Sequence, residues 1–414
     1  MIVRTVLLFM SAVPIGPTEF ASAQDSSGVR EAQGSSGPAL ISEGEGKMVR
    51  EPAVTFRILR EGPTDGREVS VTSDESGQRA CLTIKDVEGT YTIPYIQSGR
   101  TLRVSVGFTE ARVTSVRLAL LRDGEEADVR RANGPAFEAA FEGLPPGEYI
   151  LEARGLDANG REVGRSKCGG IGVGAVLVAM GDSITEGYYW RGFLQQDLDL
   201  TAGVFPAVSV SRDGRNFPQF APTTHNHLPE VNCFESWMTR LNDLLAAGWE
   251  QPVFIANEGW GGISSGAYLA LIRGNRLWRE RMRALKPNLW LIHLGVNDER
   301  SQVAPDTLAA NLEAIVNTLI ADYGASPDRI FVAKPSYDYF EGAKPILESY
   351  CTAIDELIAK RGLRPGPDLF AAYAADRERW YGADPVHPNK EGMDYMARLW
   401  HGALIRALPK GPAP

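Results

Sequence analysis

Two distant stretches of the sequence carry the side chains that can activate a hydroxyl nucleophile. Ser183 ends a Gly-Asp-Ser stretch, while Asp384 precedes His387 by three residues near the C-terminus. A serine hydroxyl attacks poorly until a neighbouring base takes its proton. An imidazole can act as that base, and a carboxylate beside it holds the tautomer and stabilises the imidazolium. Ser183, His387 and Asp384 therefore predict covalent acyl-transfer chemistry.

Two further segments contain donors for a negatively charged oxygen. The stretch 257–262, Asn-Glu-Gly-Trp-Gly-Gly, is rich in glycine, which lets backbone N–H groups approach a substrate closely. The stretch 295–298, Gly-Val-Asn-Asp, offers the side-chain amide of Asn297. Each segment alone also describes an ordinary turn or helix cap. Their combination with Ser183 and His387 predicts an oxyanion hole.

The elements that must position these residues alternate between strand and helix after residue 174. Apolar runs predict parallel strands at 175–180, 252–256, 289–294, 330–333 and 369–372. Helical patterns lie near 234–246, 266–284, 305–322, 341–361 and 389–406. This alternation predicts a three-layer α/β/α domain around a parallel sheet, over 173–410. Ligands of such sheets bind at the carboxyl ends of the strands, where Ser183 and both donor segments lie.

The preceding stretch, 50–172, has short alternating patterns separated by turn signals. Half-buried strands are predicted at 54–59, 102–106, 116–120 and 148–153. Several short strands at such spacing predict a smaller all-β sandwich domain, immunoglobulin-like in type. No chemistry stands out in it. A spacer or packing module is favoured over a carbohydrate-binding role.

The N-terminus has the pattern of an export signal. Arg4 precedes a short apolar run, and Ala21-Ser22-Ala23 follows it, which predicts a cleaved signal peptide over residues 1–23. Residues 24–49 are rich in Ser, Gly, Gln and Glu and predict a disordered leader. No later run is apolar enough to span a bilayer. We therefore expect a secreted or periplasmic protein with no stable membrane insertion.

Charge and cysteine content exclude several other classes. A net charge of −9 argues against nucleic acid as the main partner. The four cysteines allow three pairings, of which Cys81–Cys168 and Cys233–Cys351 stay within one predicted domain. Four buried thiols are an equally good interpretation. No C-x-x-C spacing exists, so no metal site is predicted from cysteine, and the oligomeric state is left open.

Some features have competing interpretations. Residues 262–266, Gly-Ile-Ser-Ser-Gly, match a nucleophile elbow centred on Ser264. A glycine-rich loop separates them from the preceding strand, however, which favours a helix cap.

Residues 188–232 have no clear periodicity, and so long a loop beside Ser183 is predicted to form a roof over the site. The pair His225 and His227 inside it lacks the carboxylates of a metal site. Of the other histidines, His293 is expected in a strand and His401 on a helix surface.

The motifs resemble those of the SGNH, or GDSL-type, hydrolase family of esterases and lipases. The four matching blocks are Gly-Asp-Ser-Ile-Thr (181–185), Asn-x-Gly-x-x-Gly (257–262), Gly-x-Asn-Asp (295–298) and Asp-x-x-His (384–387). The resemblance covers roughly residues 174–408 and implies a flavodoxin-like sheet. The insertion at 188–232 departs from the family pattern, in which a helix usually continues.

The resemblance also implies a role for each motif residue. Ser183 would be the nucleophile, His387 the general base and acid, and Asp384 the acid that orients it. The backbone N–H groups of Ser183 and Gly262 and the amide of Asn297 would form the oxyanion hole. Within the second block, the spacing from Asn257 favours Gly262 over Gly259.

These inferences predict an exported serine esterase that removes short acyl groups, acetyl being the expected one, from a carbohydrate. A small-molecule or polysaccharide ester would be the substrate, and no cofactor or metal is required. Substrate contacts are expected from Asp182, Tyr188, Trp260 and His227. Lipase, lysophospholipase and aryl-esterase activities are the alternatives. A non-catalytic carbohydrate-binding protein is less favoured because no motif residue is missing.

Overall fold

The structure is a computed structural model that describes residues 54–59, 70–74, 77–86, 89–109, 112–133, 137–186, 237–339, 342–381 and 385–412. The predicted signal peptide, leader and 188–232 insertion lie outside these residues, and so do Tyr188, His227 and Asp384. The described strands are β1 (Val54–Leu59), β2 (Ser70–Asp74), β3 (Gly77–Asp86), β4 (Gly89–Gln97), β5 (Leu102–Phe108), β6 (Ser115–Arg122), β7 (Glu125–Asn133), β8 (Phe137–Phe141), β9 (Gly147–Leu156), β10 (Glu162–Val173), β11 (Ala175–Gly181), β12 (Val253–Gly259), β13 (Leu289–His293), β14 (Ile330–Lys334) and β15 (Arg364–Asp368). The described α-helices are α1 (Ser183–Glu186), α2 (Trp237–Trp249), α3 (Ser265–Gly274), α4 (Arg276–Leu285), α5 (Val296–Arg300), α6 (Pro305–Tyr323), α7 (Ala343–Arg361), α8 (Leu369–Ala374), α9 (Arg377–Trp380) and α10 (Lys390–Ala407).

The first ten strands form two sheets. One has three strands in the order β1-β5-β8, and the other has seven in the order β2-β3-β4-β10-β9-β6-β7. Alternate residues of β1 are buried and exposed, as a strand with one covered face requires. One hydrophobic cluster contains Val104 from the smaller sheet together with Leu118 and Leu151 from the larger. The N-terminal region is therefore made of β-strands, while an immunoglobulin-like sandwich stays a prediction.

The chain passes from these sheets to the parallel one at Gly174. A side chain there would lie 2.1 Å from the carbonyl oxygen of Pro252, so the close approach requires glycine. The Gly174 N–H donates to the carbonyl of Gln97 (3.0 Å), and the Ser98 hydroxyl donates to the carbonyl of Lys286 (2.8 Å). Close backbone packing at Gly174 and a side-chain hydrogen bond from Ser98 thus join the β region directly to the following α/β region.

The α/β region contains a five-stranded sheet in the order β12-β11-β13-β14-β15, with every pairing parallel. All seven residues of β11 are buried, which explains its continuous apolar run. Val178 points into a cluster shared with α3, α4, α6 and α7. Its neighbour Leu177 points into a second cluster shared with α2 and α10. Helices therefore cover both faces, and the predicted α/β/α layering is confirmed.

The structure corrects two predicted elements. The strand predicted at 369–372 is wrong, because this apolar run forms α8, whose first turn is capped by the Asp368 carboxylate accepting from Ala371 N–H (2.9 Å). The fifth strand is instead β15, whose two prolines are tolerated because it lies at the sheet edge. The single helix predicted at 266–284 is two, since Asn275 ends α3 and caps α4 through Trp278 N–H (3.0 Å).

The cysteine pairing is tested at one position. Cys351 is a buried free thiol, so it is not joined to Cys233, which lies outside the described residues. Burial raises the pKa of the Cys351 thiol to about 12, which keeps it protonated and unreactive at neutral pH.

Candidate active site

The tight turn after β11 presents Ser183 at the carboxyl edge of the sheet. A side chain at Gly181 would lie 2.1 Å from the Thr185 hydroxyl oxygen, so only glycine fits there. The Asp182 carboxylate accepts a hydrogen bond from Ile184 N–H (3.0 Å) and closes the turn. Within 181–186, Ser183 alone is not buried. The turn therefore leaves the hydroxyl as its one accessible reactive group.

The loop before α10 brings His387 to that hydroxyl. The Oγ of Ser183 lies 2.8 Å from Nε2 of His387, although the two residues are 204 positions apart. The loop is fixed on both sides, because Tyr381 and Pro388 form an antiparallel bridge and Pro385 accepts a hydrogen bond from the N–H of Tyr339 (3.2 Å). The nucleophile and base predicted from sequence are thus in direct hydrogen-bond contact, which is the geometry that general-base catalysis needs.

A buried carboxyl group also faces this pair. Asp182 is fully buried, and burial raises its pKa to about 6, an effect opposed by the hydrogen bond from Ile184 and by the charge of His387. Full burial contradicts the substrate contact expected of Asp182, because its side chain caps the nucleophile turn instead. Asp384, the predicted orienting acid, lies outside the described residues.

The glycine-rich loop after β12 packs against the nucleophile turn. Trp260 N–H donates to the carbonyl of Gly181 (3.0 Å), and a side chain at Gly259 would lie 2.2 Å from the backbone nitrogen of Glu186. The N–H of Gly259 donates to the Asn257 side chain (3.0 Å). The N–H of Gly261 donates to the Glu186 carboxyl. The amides of Gly259 and Gly261 are therefore occupied by the protein itself.

Gly262 differs from the other two glycines of this loop. It is exposed, has a φ of +73° that favours glycine, and has open space around it. Among the described hydrogen bonds, none uses its N–H. This placement suits an oxyanion donor better at Gly262 than at Gly259, as the spacing from Asn257 predicts.

The second predicted donor, Asn297, lies on α5 and is partly buried. Its Nδ2 donates one hydrogen bond to the carbonyl of Ile263 (3.1 Å), directly after Gly262. An amide nitrogen carries two hydrogens, so a second remains for a ligand. The neighbouring Asp298 is buried and accepts from both the N–H (2.9 Å) and the hydroxyl (2.5 Å) of Ser265. These bonds hold the ends of the two donor segments together.

Sequence reasoning missed Glu186 as part of this site. Its carboxyl group is buried, and burial raises its pKa to about 8, opposed by the hydrogen bond from Gly261 and reinforced by the charge of Asp182. The available signal was a charged residue that follows Ile184 and Thr185 in the first turn after the nucleophile. Such a charge is usually interpreted as a solvated helix terminus.

Ser264, Trp260, His293 and His401 lie outside the Ser183–His387 contact. Ser264 caps α3 by accepting from Ala267 N–H (3.4 Å), so it serves as the helix cap predicted for it. Trp260 is partly buried against the hydrophobic cluster of β11 and β12, which gives it at least a packing role. His293 lies in β13, where burial lowers its pKa to about 4 and Ser336 contacts its Nε2 (3.2 Å). His401 is half-buried on α10 rather than on the open helix surface.

The described residues contain neither a metal-binding cluster nor a membrane-spanning helix. Within those ranges, no group of three His, Cys, Asp or Glu side chains is arranged to hold a metal ion. None of the described helices combines the length and apolarity needed to cross a membrane.

Comparison with known proteins gives a family match to the region that contains this site. Residues 179–395, just over half of the chain, match the model of the GDSL-like Lipase/Acylhydrolase family. The match covers Ser183, both donor segments and His387. No curated protein sequence matches the chain.

Solved structures with a similar arrangement are also found. A lipase/acylhydrolase from Enterococcus faecalis is 19% identical, covers 56% of this chain and 95% of its own, and has a TM-score of 0.38. The psychrotrophic esterase EstA from Pseudoalteromonas sp. is 14% identical, with coverages of 56% and 98% and a TM-score of 0.39. An acetyl esterase mutant with acetate ion is 19% identical, with coverages of 56% and 97% and a TM-score of 0.37.

Proposed function

The chain belongs to the GDSL-like lipase/acylhydrolase family and is a carboxylic ester hydrolase, and on that premise we propose that it is an exported serine esterase acting on short acyl esters of a carbohydrate. Acetyl is the acyl group we propose. The contact of Ser183 Oγ with His387 Nε2 at 2.8 Å is the observation that carries the chemistry. The substrate class is supported by the predicted signal peptide and the N-terminal β region, which are typical of enzymes that meet extracellular polysaccharides.

The proposed mechanism uses the residues described above in two half-reactions. Ser183 Oγ attacks the ester carbonyl while His387 Nε2 takes its proton. The resulting oxyanion accepts hydrogen bonds from the backbone N–H groups of Ser183 and Gly262 and from the Asn297 amide. His387 then protonates the leaving alcohol, which departs and leaves an acyl-enzyme. Water attacks the acyl-enzyme by the same proton transfers, releasing the acid and restoring Ser183.

Asp384 is proposed as the acid that orients His387. A carboxylate on the Nδ1 side of the imidazole fixes the tautomer in which Nε2 can accept a proton. No step of this mechanism calls for a metal or an organic cofactor.

One pair of variants tests the chemistry. With p-nitrophenyl acetate, the wild-type protein should release p-nitrophenol in a burst equal to the enzyme concentration, and Ser183→Ala should show no burst. Ser264→Ala is the matched control, because that serine caps α3 and has no proposed part in the reaction. Activity lost in Ser264→Ala but kept in Ser183→Ala would transfer the nucleophile to the competing elbow motif.

The substrate class is tested separately. Acetate release is measured from a panel of acetylated polysaccharides, beside p-nitrophenyl esters of increasing chain length. The proposal expects acetate from at least one polysaccharide and a rate that falls as the acyl chain lengthens. A rate that rises with chain length would favour a lipase or lysophospholipase, and turnover of aryl esters alone would favour an aryl esterase. Polysaccharide binding without any turnover would indicate a carbohydrate-binding protein.

A further inference from the structure

Glu186 is one of three buried carboxyl groups of this site that the mechanism does not use, the others being Asp182 and Asp298. We propose that Glu186 is a positioning residue, whose carboxyl group holds the Gly261 amide and so orders the oxyanion loop that carries Gly262. This inference rests on the proposed esterase mechanism, because it assigns a function to a contact within the same oxyanion loop.

The contacts of Glu186 connect the nucleophile turn to the oxyanion loop. Its carboxyl accepts the N–H of Gly261, and a side chain built on Gly261 would lie 2.9 Å from Oε2 and 3.9 Å from the Ser183 Cβ. Its backbone carbonyl accepts from the Asn257 side chain (3.1 Å), and its backbone N–H donates to the carbonyl of Asp182 (2.9 Å). Both ends of the residue are therefore fixed, one to the nucleophile turn and one to the loop.

The hydrogen bond to Gly261 decides which amide is left for substrate. The Gly261 N–H belongs to the Trp260–Gly261 peptide unit, which is joined at the Gly261 Cα to the unit that carries the Gly262 N–H, so holding the first amide constrains the direction of the second. With Glu186 holding the Gly261 N–H, that amide cannot compete for the oxyanion, and the exposed N–H of Gly262 takes this position. An oxyanion donor contributes only when it is already aimed at the developing charge, so the hold on Gly261 matters for turnover rather than for binding.

The surroundings of the carboxyl favour its uncharged form. Glu186 is 1% exposed, and its other oxygen, Oε1, is buried and has no hydrogen-bond partner among the described residues, as suits a protonated carboxyl rather than an anion. On its own turn the ionisable neighbour is Asp182, also fully buried, whose charge opposes ionisation. On β12, Glu258 is buried too, but it follows Asn257 and so points to the opposite face of the sheet. Strand β11 carries no ionisable side chain.

This arrangement has a consequence for the pH dependence of catalysis. Burial raises the pKa of Glu186 to about 8, so the carboxyl loses its proton within the working range of an esterase. When Glu186 is ionised, its carboxylate adds a negative charge to the loop that must stabilise the negatively charged oxyanion of the substrate. Like charges at such proximity oppose each other, so turnover falls as Glu186 ionises.

Two substitutions separate positioning from simple packing. Glu186→Gln keeps the size, keeps an oxygen for the Gly261 N–H and cannot ionise. Glu186→Leu keeps most of the volume but removes the acceptor. Both are compared with the wild type by kcat and KM for p-nitrophenyl acetate from pH 6 to pH 9.5, with Ser183→Ala subtracted as the background and thermal unfolding as the test of folding.

We expect Glu186→Gln to retain kcat at pH 7 within about twofold and to lose the decline above about pH 8 that the wild type shows. Glu186→Leu should lower kcat by about 10- to 100-fold with little change in KM. A misplaced donor reduces the hydrogen-bond stabilisation of the transition state but not the binding of the ground state. An alkaline decline that persists unchanged in the Gln variant would overturn the inference. So would a folded Leu variant with the wild-type kcat.

The same data distinguish failure of this inference from failure of the proposed function. If the wild-type turnover does not depend on Ser183, the esterase mechanism is wrong. If turnover depends on Ser183 but responds to neither Glu186 variant, the mechanism stands and Glu186 has no positioning role. Should Glu186→Leu fail to fold, the pH profile of Glu186→Gln alone decides the question.

Discussion

Gly259→Ala probes the close packing between the oxyanion loop and the nucleophile turn. The added methyl carbon would lie 2.2 Å from the backbone nitrogen of Glu186 and 2.6 Å from both its Cα and the carbonyl carbon of Thr185. All three are backbone atoms, so no side chain can rotate away and the two segments must separate. Overpacking of this kind costs about 1–3 kcal/mol, and occasionally more. We expect the free energy of unfolding to fall by about 3 kcal/mol.

The same separation should reach the chemistry. Gly259 lies between Asn257 and the donor loop, so moving it displaces Gly262 from Ser183. A displacement of about 1 Å can reduce turnover by about 100-fold. We therefore expect kcat for p-nitrophenyl acetate to fall by one to two orders of magnitude, while KM changes less.

The control for this experiment is Gly274→Ala. Gly274 ends α3, and an added side chain there would meet no atom within 4 Å. Alanine is favoured over glycine in a helix by up to about 1 kcal/mol, so this variant should be at least as stable as the wild type and as active. Denaturant unfolding and kcat are measured for both variants. A Gly259→Ala protein with wild-type stability and wild-type kcat would refute the packing argument.

Three further predictions concern the donors and the ionisable groups. Asn297→Ala should lower kcat by about 10²–10³ with a smaller change in KM, measured by steady-state kinetics; an effect on KM alone would mean that the amide binds the ground state. His387→Gln should lower kcat/KM about as severely as Ser183→Ala, because it removes the base that accepts the Ser183 proton, and a His387→Gln variant with wild-type turnover would exclude His387 as the base. Folding stability should also decline as pH rises from about 4 to about 8, because the folded protein keeps on Glu186 a proton that the unfolded chain releases. Thermal unfolding checks this, since Glu186→Gln should gain stability relative to the wild type at pH 9 but not at pH 4.

The sequence predicted the candidate site better than it predicted the secondary structure. A serine and a histidine with a nearby aspartate suggest a nucleophile and its base. Ser183 directly follows a recognisable strand and His387 comes just before a recognisable helix, so their meeting could be anticipated. The 2.8 Å contact requires only that two loops reach the same sheet edge, which the alternation of strands and helices indicates.

The errors have a common physical origin. The run 369–372 has a composition that suits a buried strand or a buried helix, and only the cap by Asp368 distinguishes them. Strand β15 carries two prolines, which argue against a strand until its edge position is known. In both cases tertiary context decides, and a local pattern does not contain it.

Glu186 was missed for a related reason. An isolated glutamate in a turn is most often solvated. The burial of Glu186 depends on Gly259 at the end of β12 and on Gly261 in the loop after it, which come 73 and 75 positions later in the chain. Asp182 gives the converse case, since proximity to the nucleophile suggested a substrate contact while the structure buries it. The accessibility of an ionisable side chain is thus a property of the assembled sheet edge.

The distance along the chain between Ser183 and His387 makes turnover a measure of complete folding. These residues lie 204 positions apart, and strands β12, β13, β14 and β15 all come between them in sequence. Pairing of parallel strands over such separations is slow compared with local helix formation. After dilution from denaturant, the recovery of helical signal should therefore precede the recovery of esterase turnover. Hydrolysis then reports the arrival of the C-terminal segment, and a refolding intermediate with most of its secondary structure stays silent in that assay.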